Sequence, residues 1–216
     1  VAFDLPDIPP ADFAAGVSRL SPEPLSQRTL AALQAHYEEL RRWNRRTSLV
    51  GPGTAAEVLA RHYGESLAAL PLLPAGARTG LDLGSGAGFP GLVLAAARPE
   101  LAMTLAEARE RKWAFLLAAA RRASLPCRCL NVRVRVPLPA GLPESMDLIT
   151  SRALKLDEET WSALADRLRE EGRLLLWAGE RDPRLPPQLA ACGEVGLAGS
   201  AKRRILALRR VTRAVI

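Results

Sequence analysis

The sequence predicts an α/β fold in which a mostly parallel central sheet carries helices on both faces and is preceded by a helical cap. Three observations predict it. Helical periodicity dominates the residues before position 76, short apolar runs alternate with helical stretches after it, and a glycine-rich turn follows the first of those runs. A chain of 216 residues is long enough for one well-cored domain with a small appendage. The expected division is a helical region over 1–76, packed on a larger unit over 77–216.

Taken in order, Leu30, Leu33, Tyr37 and Leu40 recur at three- and four-residue spacing and predict a helix from about residue 25 to 43. Ser21-Pro22 offers it a cap and a first-turn proline. Gly51-Pro52-Gly53 marks a turn, and Val58, Leu59, His62, Ser66, Leu67 and Leu70 then fall on one side of a helix expected over 55–70. The run "PLLPAGARTG" reads as a linker. Strands are expected near 79–83, 101–106, 128–135, 146–150 and 173–178, with helices near 90–98, 109–123 and 157–170. The tail "RRILALRR" reads as one more strand. In such a sheet, ligands sit beyond the carboxyl ends of the strands, where strand order reverses.

Composition narrows the class. At 48% hydrophobic and 25% charged residues the chain is an ordinary globular protein, and no apolar run is long enough to span a membrane. "VAFDLPDIPP" has no basic stretch followed by an apolar one, so no export signal is expected. Cys127, Cys129 and Cys192 cannot build a disulfide framework or a metal site without a second ligand pair. They read as small buried hydrophobes in a reducing cytosol. The net charge of +7 arises beyond residue 80 and suits a polyanion such as RNA, but 27 of the 30 basic residues are Arg, which also fits a coding bias.

The most informative run is "LDLGSGAGFPG", Leu81 to Gly91. Gly84, Gly86 and Gly88 let the backbone turn tightly and approach a ligand. A dinucleotide loop would need a small residue where Phe89 stands, and Pro90 removes a helix N-terminal N–H that a pyrophosphate would use. Asp82 adds negative charge there, and no Lys-Ser/Thr follows, which excludes a nucleoside triphosphate loop. S-adenosyl-L-methionine, a sulfonium without phosphate, suits these residues, and Glu107 at the end of the second strand is placed to accept both ribose hydroxyls. Asp82 as a turn cap and Glu107 as a helix cap are the competing structural readings.

After the fourth strand stands Thr150-Ser151-Arg152-Ala153. Enzymes that methylate exocyclic amines resemble one another in carrying Asn/Asp-Pro-Pro-aromatic there, and pyrimidine-carbon methylation needs a nearby cysteine, which is absent. An acceptor such as guanine N7, whose lone pair is free at neutral pH, is favoured, with Arg152 holding a phosphate, the guanine O6 or the cofactor carboxylate. His62, on the apolar side of its helix, reads as a hydrogen-bonded core histidine, and His36 has still less reason for a function.

"LDLGSGAGFPGL", "TLAEARERKWAFL" and "DLITSRAL" together resemble the bacterial small-subunit (16S) rRNA guanine-N7 methyltransferases, the RsmG or GidB family. "WNRRTSLVGPGTAAEVLARHYGESLAAL" resembles that family's N-terminal region and "GSAKRRILALRR" its last strand, so the likeness covers about 25–210. It implies a Rossmann-like class I S-adenosylmethionine-dependent methyltransferase acting in the cytoplasm on 16S rRNA or the small ribosomal subunit, without metal or membrane. It further implies that Gly84, Gly86, Gly88 and Phe89 contact the cofactor, Glu107 its ribose, and Arg152 the cofactor or substrate pocket. Lys112, which matches a family lysine, would face RNA or stabilise its helix.

The departures are specific. The family's Asn-Leu-Thr is Ser48-Leu49-Val50 here, and its Asp before Ser-Leu is Glu65. Its adenine-edging Arg-Ala-Glu falls on Val136-Pro137-Leu138, which puts Pro137 and Leu138 at the cofactor without an acid, and a lysine after the fifth strand is missing from "LLLWAGERD". A binding protein of the same fold that has lost turnover, and a small-molecule methyltransferase, stay open as alternatives. A dinucleotide oxidoreductase is disfavoured by Phe89 and Pro90.

Overall fold

Thr79–Leu83 (β1), Ala102–Ala106 (β2), Arg128–Leu130 (β3), Met146–Arg152 (β4), Leu168–Ala178 (β5), Leu189–Gly196 (β6) and Arg204–Arg210 (β7) form one sheet in the order β3-β2-β1-β4-β5-β7-β6. The structure is a computed structural model that describes residues 3–152, 156–179 and 186–211. Five strands run parallel, and β7 lies antiparallel between β5 and β6. The chain steps outward from β1 to β3 and then returns to β4 on the other side of β1, so strand order reverses between β1 and β4.

Alternate residues of the strands feed two cores. Leu81, Leu83, Ile149, Leu174, Leu176 and Leu208 pack on one face with Trp161 and Leu164 of the helix Glu158–Asp166. Leu105, Leu148, Leu175 and Ala207 pack on the other. That second face meets the helices Gly91–Ala97 and Glu110–Arg122 and, in the same cluster, Phe13, Leu33, Tyr37, Tyr63 and Leu67 from the N-terminal region. The N-terminal helices and the sheet therefore share one apolar interior. Covering both faces is what a parallel sheet requires, because neither side of its ladder is then open to water.

Numbered in chain order, the helices are Pro10–Leu20 (α1), Gln27–Asn44 (α2), Ala55–Val58 (α3), Glu65–Leu67 (α4), Gly91–Ala97 (α5), Glu110–Arg122 (α6) and Glu158–Asp166 (α7). The cap of α2 is not Ser21: Ser26 Oγ accepts from the Thr29 N–H at 3.0 Å, and this hydroxyl lies next to the first free N–H groups of the helix. The single helix expected over 55–70 is interrupted. A Thr54–Glu57 capping box starts α3, a π-helical turn follows over Leu59–Gly64, and α4 and a 3₁₀ turn at Leu70–Leu72 complete it.

Three other boundaries differ. The strand expected over 128–135 pairs only through Leu130, whose carbonyl accepts from the Glu107 N–H; Val132 and Val134 still pack on the core, but outside the ladder. The helix expected over 157–170 stops at Asp166 because Leu168 already pairs with Met146 in the sheet. The edge strand β6 was not expected: its outer residues are exposed and two glycines interrupt its apolar alternation. Among the described residues no helix is long and apolar enough to cross a membrane.

Gly91, the first residue of α5, is pressed against β1 and β2. A Cβ there would lie 2.5 Å from Leu105 Cδ2 and 2.7 Å from Asp82 Oδ2. Gly91→Ala is therefore expected to cost about 2 kcal/mol, as other overpacked cores do, and to lower the melting temperature by roughly 6 °C in calorimetry.

Candidate active site

The turn after β1 and the end of β4 open on a cleft of about 1010 Å³ at the point where strand order reverses. Its lining comes mainly from residues 84–87 and Phe89 of the glycine turn, Arg152 of β4, residues between Leu49 and Ala68 of the N-terminal region, and the β6–β7 turn with Leu197 and Arg203. Lys112 of α6 closes the side beside Gly86; a Cβ on Gly86 would lie 4.0 Å from its Nζ.

Two carboxylates hold the glycine turn from behind. Asp82 is fully buried; its Oδ1 accepts from the Thr150 hydroxyl at 2.7 Å and its Oδ2 from the Gly91 N–H at 3.3 Å. Glu107, at the end of β2, accepts from the Gly86 N–H through Oε2 at 3.0 Å and from the Arg109 N–H through Oε1 at 2.8 Å. Gly86 and Gly88 have positive φ, which only residues lacking Cβ adopt without strain. The turn is thus braced before any ligand arrives.

The opposite side is organised by Glu65, which is buried yet faces two arginines. Its Oε2 takes Arg152 Nη2 at 3.0 Å and its Oε1 takes Arg203 Nη1 at 2.5 Å. Arg152 Nη2 also donates to the Arg61 carbonyl at 2.8 Å. The π turn supplies that acceptor: the Glu65 N–H bonds to the carbonyls of Ala60 and His62 and bypasses the one between them. Trp177 Nε1 donates to the Glu65 carbonyl at 3.0 Å, which ties β5 to the same point. Arg152 Nη1 is buried without a hydrogen-bond partner among the described residues. A donor left in that state invites an anionic ligand group.

His62, expected as a hydrogen-bonded core histidine, is instead at the cleft, and His36 takes the core hydrogen bonds. His36 is the buried one, with Nδ1 2.8 Å from the Tyr63 hydroxyl and Nε2 2.9 Å from the Ala87 carbonyl; burial pushes it down to about 4. His62 is half-buried, lines the cleft and stacks on Phe89 with ring centroids 5.0 Å apart and planes inclined by 22°. Burial first, then the charges of Arg152 and Arg61, push it down to about 3, so its ring is neutral at physiological pH.

The family model described as rRNA small subunit methyltransferase G matches residues 29–184. The Ribosomal RNA small subunit methyltransferase G of Paramagnetospirillum magneticum is 38% identical over 156 residues, 72% of this chain and 73% of that protein. The protein of the same name from Anaeromyxobacter dehalogenans is 36% identical over 183 residues, 84% and 83% of the two chains. This chain belongs to the methyltransferase G family. A member from Methylobacterium is 43% identical over a shorter stretch, 62% of its own length. Among solved structures, the mitomycin 7-O-methyltransferase MmcR superposes with a TM-score of 0.56 at 18% identity, covering 95% of this chain and 74% of that one. A putative methyltransferase YhhF from Escherichia coli gives 0.51 at 19% identity, covering 62% and 78%. These likenesses establish the Rossmann-like class I methyltransferase fold.

Against the family's fold, the expected site residues divide. Gly84, Gly86, Phe89, Lys112 and Arg152 line the cleft. Gly88 does not: a Cβ there would meet Leu92 Cδ1 at 2.5 Å and His36 Nε2 at 3.1 Å, so its lack of a side chain serves packing against α5 and α2. Asp82 lies beneath the turn and braces it, so the direct contact expected for it gives way to a structural role. Glu107 is buried, braces the turn and accepts from the N–H of Arg109, the residue before α6, with a second lone pair left on each oxygen; it stands behind the cleft lining rather than in it. Pro137 is exposed and Leu138 packs against the cluster that holds Leu81 and Trp161; like Glu107, neither is part of the cleft lining. The sequence reading missed Arg61 and Arg203 and gave Glu65 no role. No local signal marks these residues, because their partners are distant in the chain.

Cys127 and Cys129 are partly buried thiols whose burial pushes them up to about 12 and 11. Cys192 is exposed rather than buried, and no metal-binding group of three or more ligands occurs among the described residues.

Two outcomes follow. Glu65→Ala leaves Arg152 buried without its carboxylate and is expected to cost about 3 kcal/mol in urea denaturation, the more open Arg203 adding little. Asp82 is pushed up from 3.8 to about 6, chiefly by burial, so the folded state holds its proton more firmly than the unfolded one. Its stabilising contribution is full below about pH 4 and is lost as pH rises through about 6. Denaturation at pH 5 and 7.5 should show wild type gaining on Asp82→Asn at the lower pH.

Proposed function

We propose that this chain is an S-adenosylmethionine-dependent methyltransferase that places a methyl group on guanine N7 of 16S ribosomal RNA, in the cytoplasm. One observation carries the reading beyond family membership: a braced glycine turn and an unpartnered arginine donor share one cleft at the strand-order reversal. Arg152 Nη1 suits the carboxylate of the cofactor's methionine end. Glu107 suits its ribose hydroxyls, and the Gly84–Gly86 backbone leaves room between them. When bound, S-adenosylmethionine supplies a methyl group activated on a sulfonium.

The rest of the reaction asks little acid–base chemistry of the protein. Thr150 and Ser151 are buried, and the Thr150 hydroxyl is committed to Asp82, so among the described residues no general base stands at the end of β4. An acceptor with a free lone pair matches such a site, and guanine N7 has one. The chain's contribution is to hold the acceptor in line and keep water out. The N-terminal stretch from Leu49 to Ala68 supplies the wall facing the glycine turn, and Arg61, Lys112 and Arg203 give the cleft a cationic rim suited to a phosphodiester. The alternative without turnover rests on the missing acid at Leu138, a residue outside the cleft lining.

Isothermal titration should show S-adenosylmethionine binding, with Arg152→Ala weakening it about tenfold or more, as for a lost charge-assisted hydrogen bond. Borohydride/aniline mapping of 16S rRNA from cells lacking the gene should show one guanine without its N7 methyl group. An unchanged map contradicts the assignment.

A further inference from the structure

The cleft is lined by two aromatic rings among the described residues, Phe89 and His62, and they are stacked on each other. Phe89 belongs to the glycine turn and His62 to the N-terminal wall, so the stack marks where the two walls meet. Phe89 cannot shift readily. It is 7% exposed and is wedged edge-on by His36 and Tyr63, each with its centroid 5.1 Å away. His62 is the outer layer: one face lies on Phe89, and the part of the ring that is not buried opens on the cleft.

His62 also occupies a special backbone position. It lies inside the π turn that frees the Arg61 carbonyl for Arg152. Widening a helix by one residue turns the side chains beyond it, and such turns concentrate at functional sites. Here the same turn presents Arg61, His62 and Glu65 toward the cleft while Tyr63 goes to the core.

We propose that His62 is the stacking platform for the acceptor base, which lies on the imidazole as the third layer of a Phe89–His62–base stack. This deepens the methyl-transfer reading and rests on it. Three features of the site agree. The acceptor must approach from the side away from the glycine turn, because that turn holds the donor and the transfer is in line. A base taken out of its own stack regains contact most readily on an aromatic face. The ring is uncharged, so it adds no repulsion beside a sulfonium or beside the positive charge that N7 methylation creates on the purine.

The test uses the full chain and small ribosomal subunits that lack the methyl mark. Cofactor affinity is measured by titration and kcat/KM for the subunit at saturating cofactor, for wild type, His62→Ala and His62→Phe. His62→Ala is expected to keep cofactor affinity within about threefold while kcat/KM for the subunit falls about 5- to 150-fold, the range a single base–aromatic stack is worth. His62→Phe, which restores a ring without its nitrogens, is expected to recover most of that loss. Intact cofactor binding also shows that the variants are folded. Three results overturn the proposal: wild-type turnover in His62→Ala, a loss of cofactor affinity as large as the loss of rate, or a His62→Phe variant as impaired as His62→Ala. A wild-type protein that binds no S-adenosylmethionine instead overturns the methyl-transfer reading beneath it.

Discussion

The buried carboxylate of Glu65 is the constraint on which the site depends. An isolated charge in that position would be prohibitively unfavourable, so Glu65 must be paired, and its partners come from positions 87 and 138 residues away. Satisfying it draws Arg152 at the end of β4 and Arg203 before β7 to one point of the N-terminal region, and Trp177 of β5 joins through the backbone. Two guanidinium groups meet one carboxylate there. A positive charge is left over in the cleft, and Arg152 Nη1 is the buried donor through which it is expressed.

The glycine turn is built by the same logic from the other side. β1 and β2 are neighbours, and an acid near the end of each accepts N–H groups from the turn or its flanks: Asp82 from Gly91, Glu107 from Gly86 and Arg109. Backbone groups that would otherwise need ordering by a ligand are already fixed. Preorganisation of this kind lowers the entropy lost on binding and places a cofactor's atoms reproducibly. The π turn completes the arrangement, because the carbonyl it bypasses is the one that accepts from Arg152.

Much of this was legible in the sequence. β1, α5, α6, β4 and β7 lie close to their expected ranges because each has a strong period and a clear stop: glycines after Leu83, Pro90 before α5, and the alternation of "RILALRR". Gly84, Gly86, Phe89 and Arg152, expected from the glycine turn and the end of β4, and Lys112, expected from the family likeness, all line the cleft. The failures share a cause, which is that long-range partners decide them. Helical spacing continues past Asp166, but sheet pairing of Leu168 overrides it. His62 falls on an apolar face in an ideal helix, and only the π turn redirects it to the cleft while His36 takes the core hydrogen bonds. Leu138 matches an adenine-edging position by residue count alone, and its side chain packs against the cluster that holds Leu81 and Trp161. Glu65 and Arg203 carry no local signature, because an ion pair across 138 residues leaves none.

The most direct measurement is a crystal structure of the protein with S-adenosylhomocysteine, the product of the proposed transfer. The ligand should lie in the cleft with its carboxylate on Arg152 Nη1 and its ribose on Glu107, while Glu65 still holds Arg152 and Arg203. A ligand bound elsewhere, or an Arg152 swung away from Glu65 to reach it, would contradict the account.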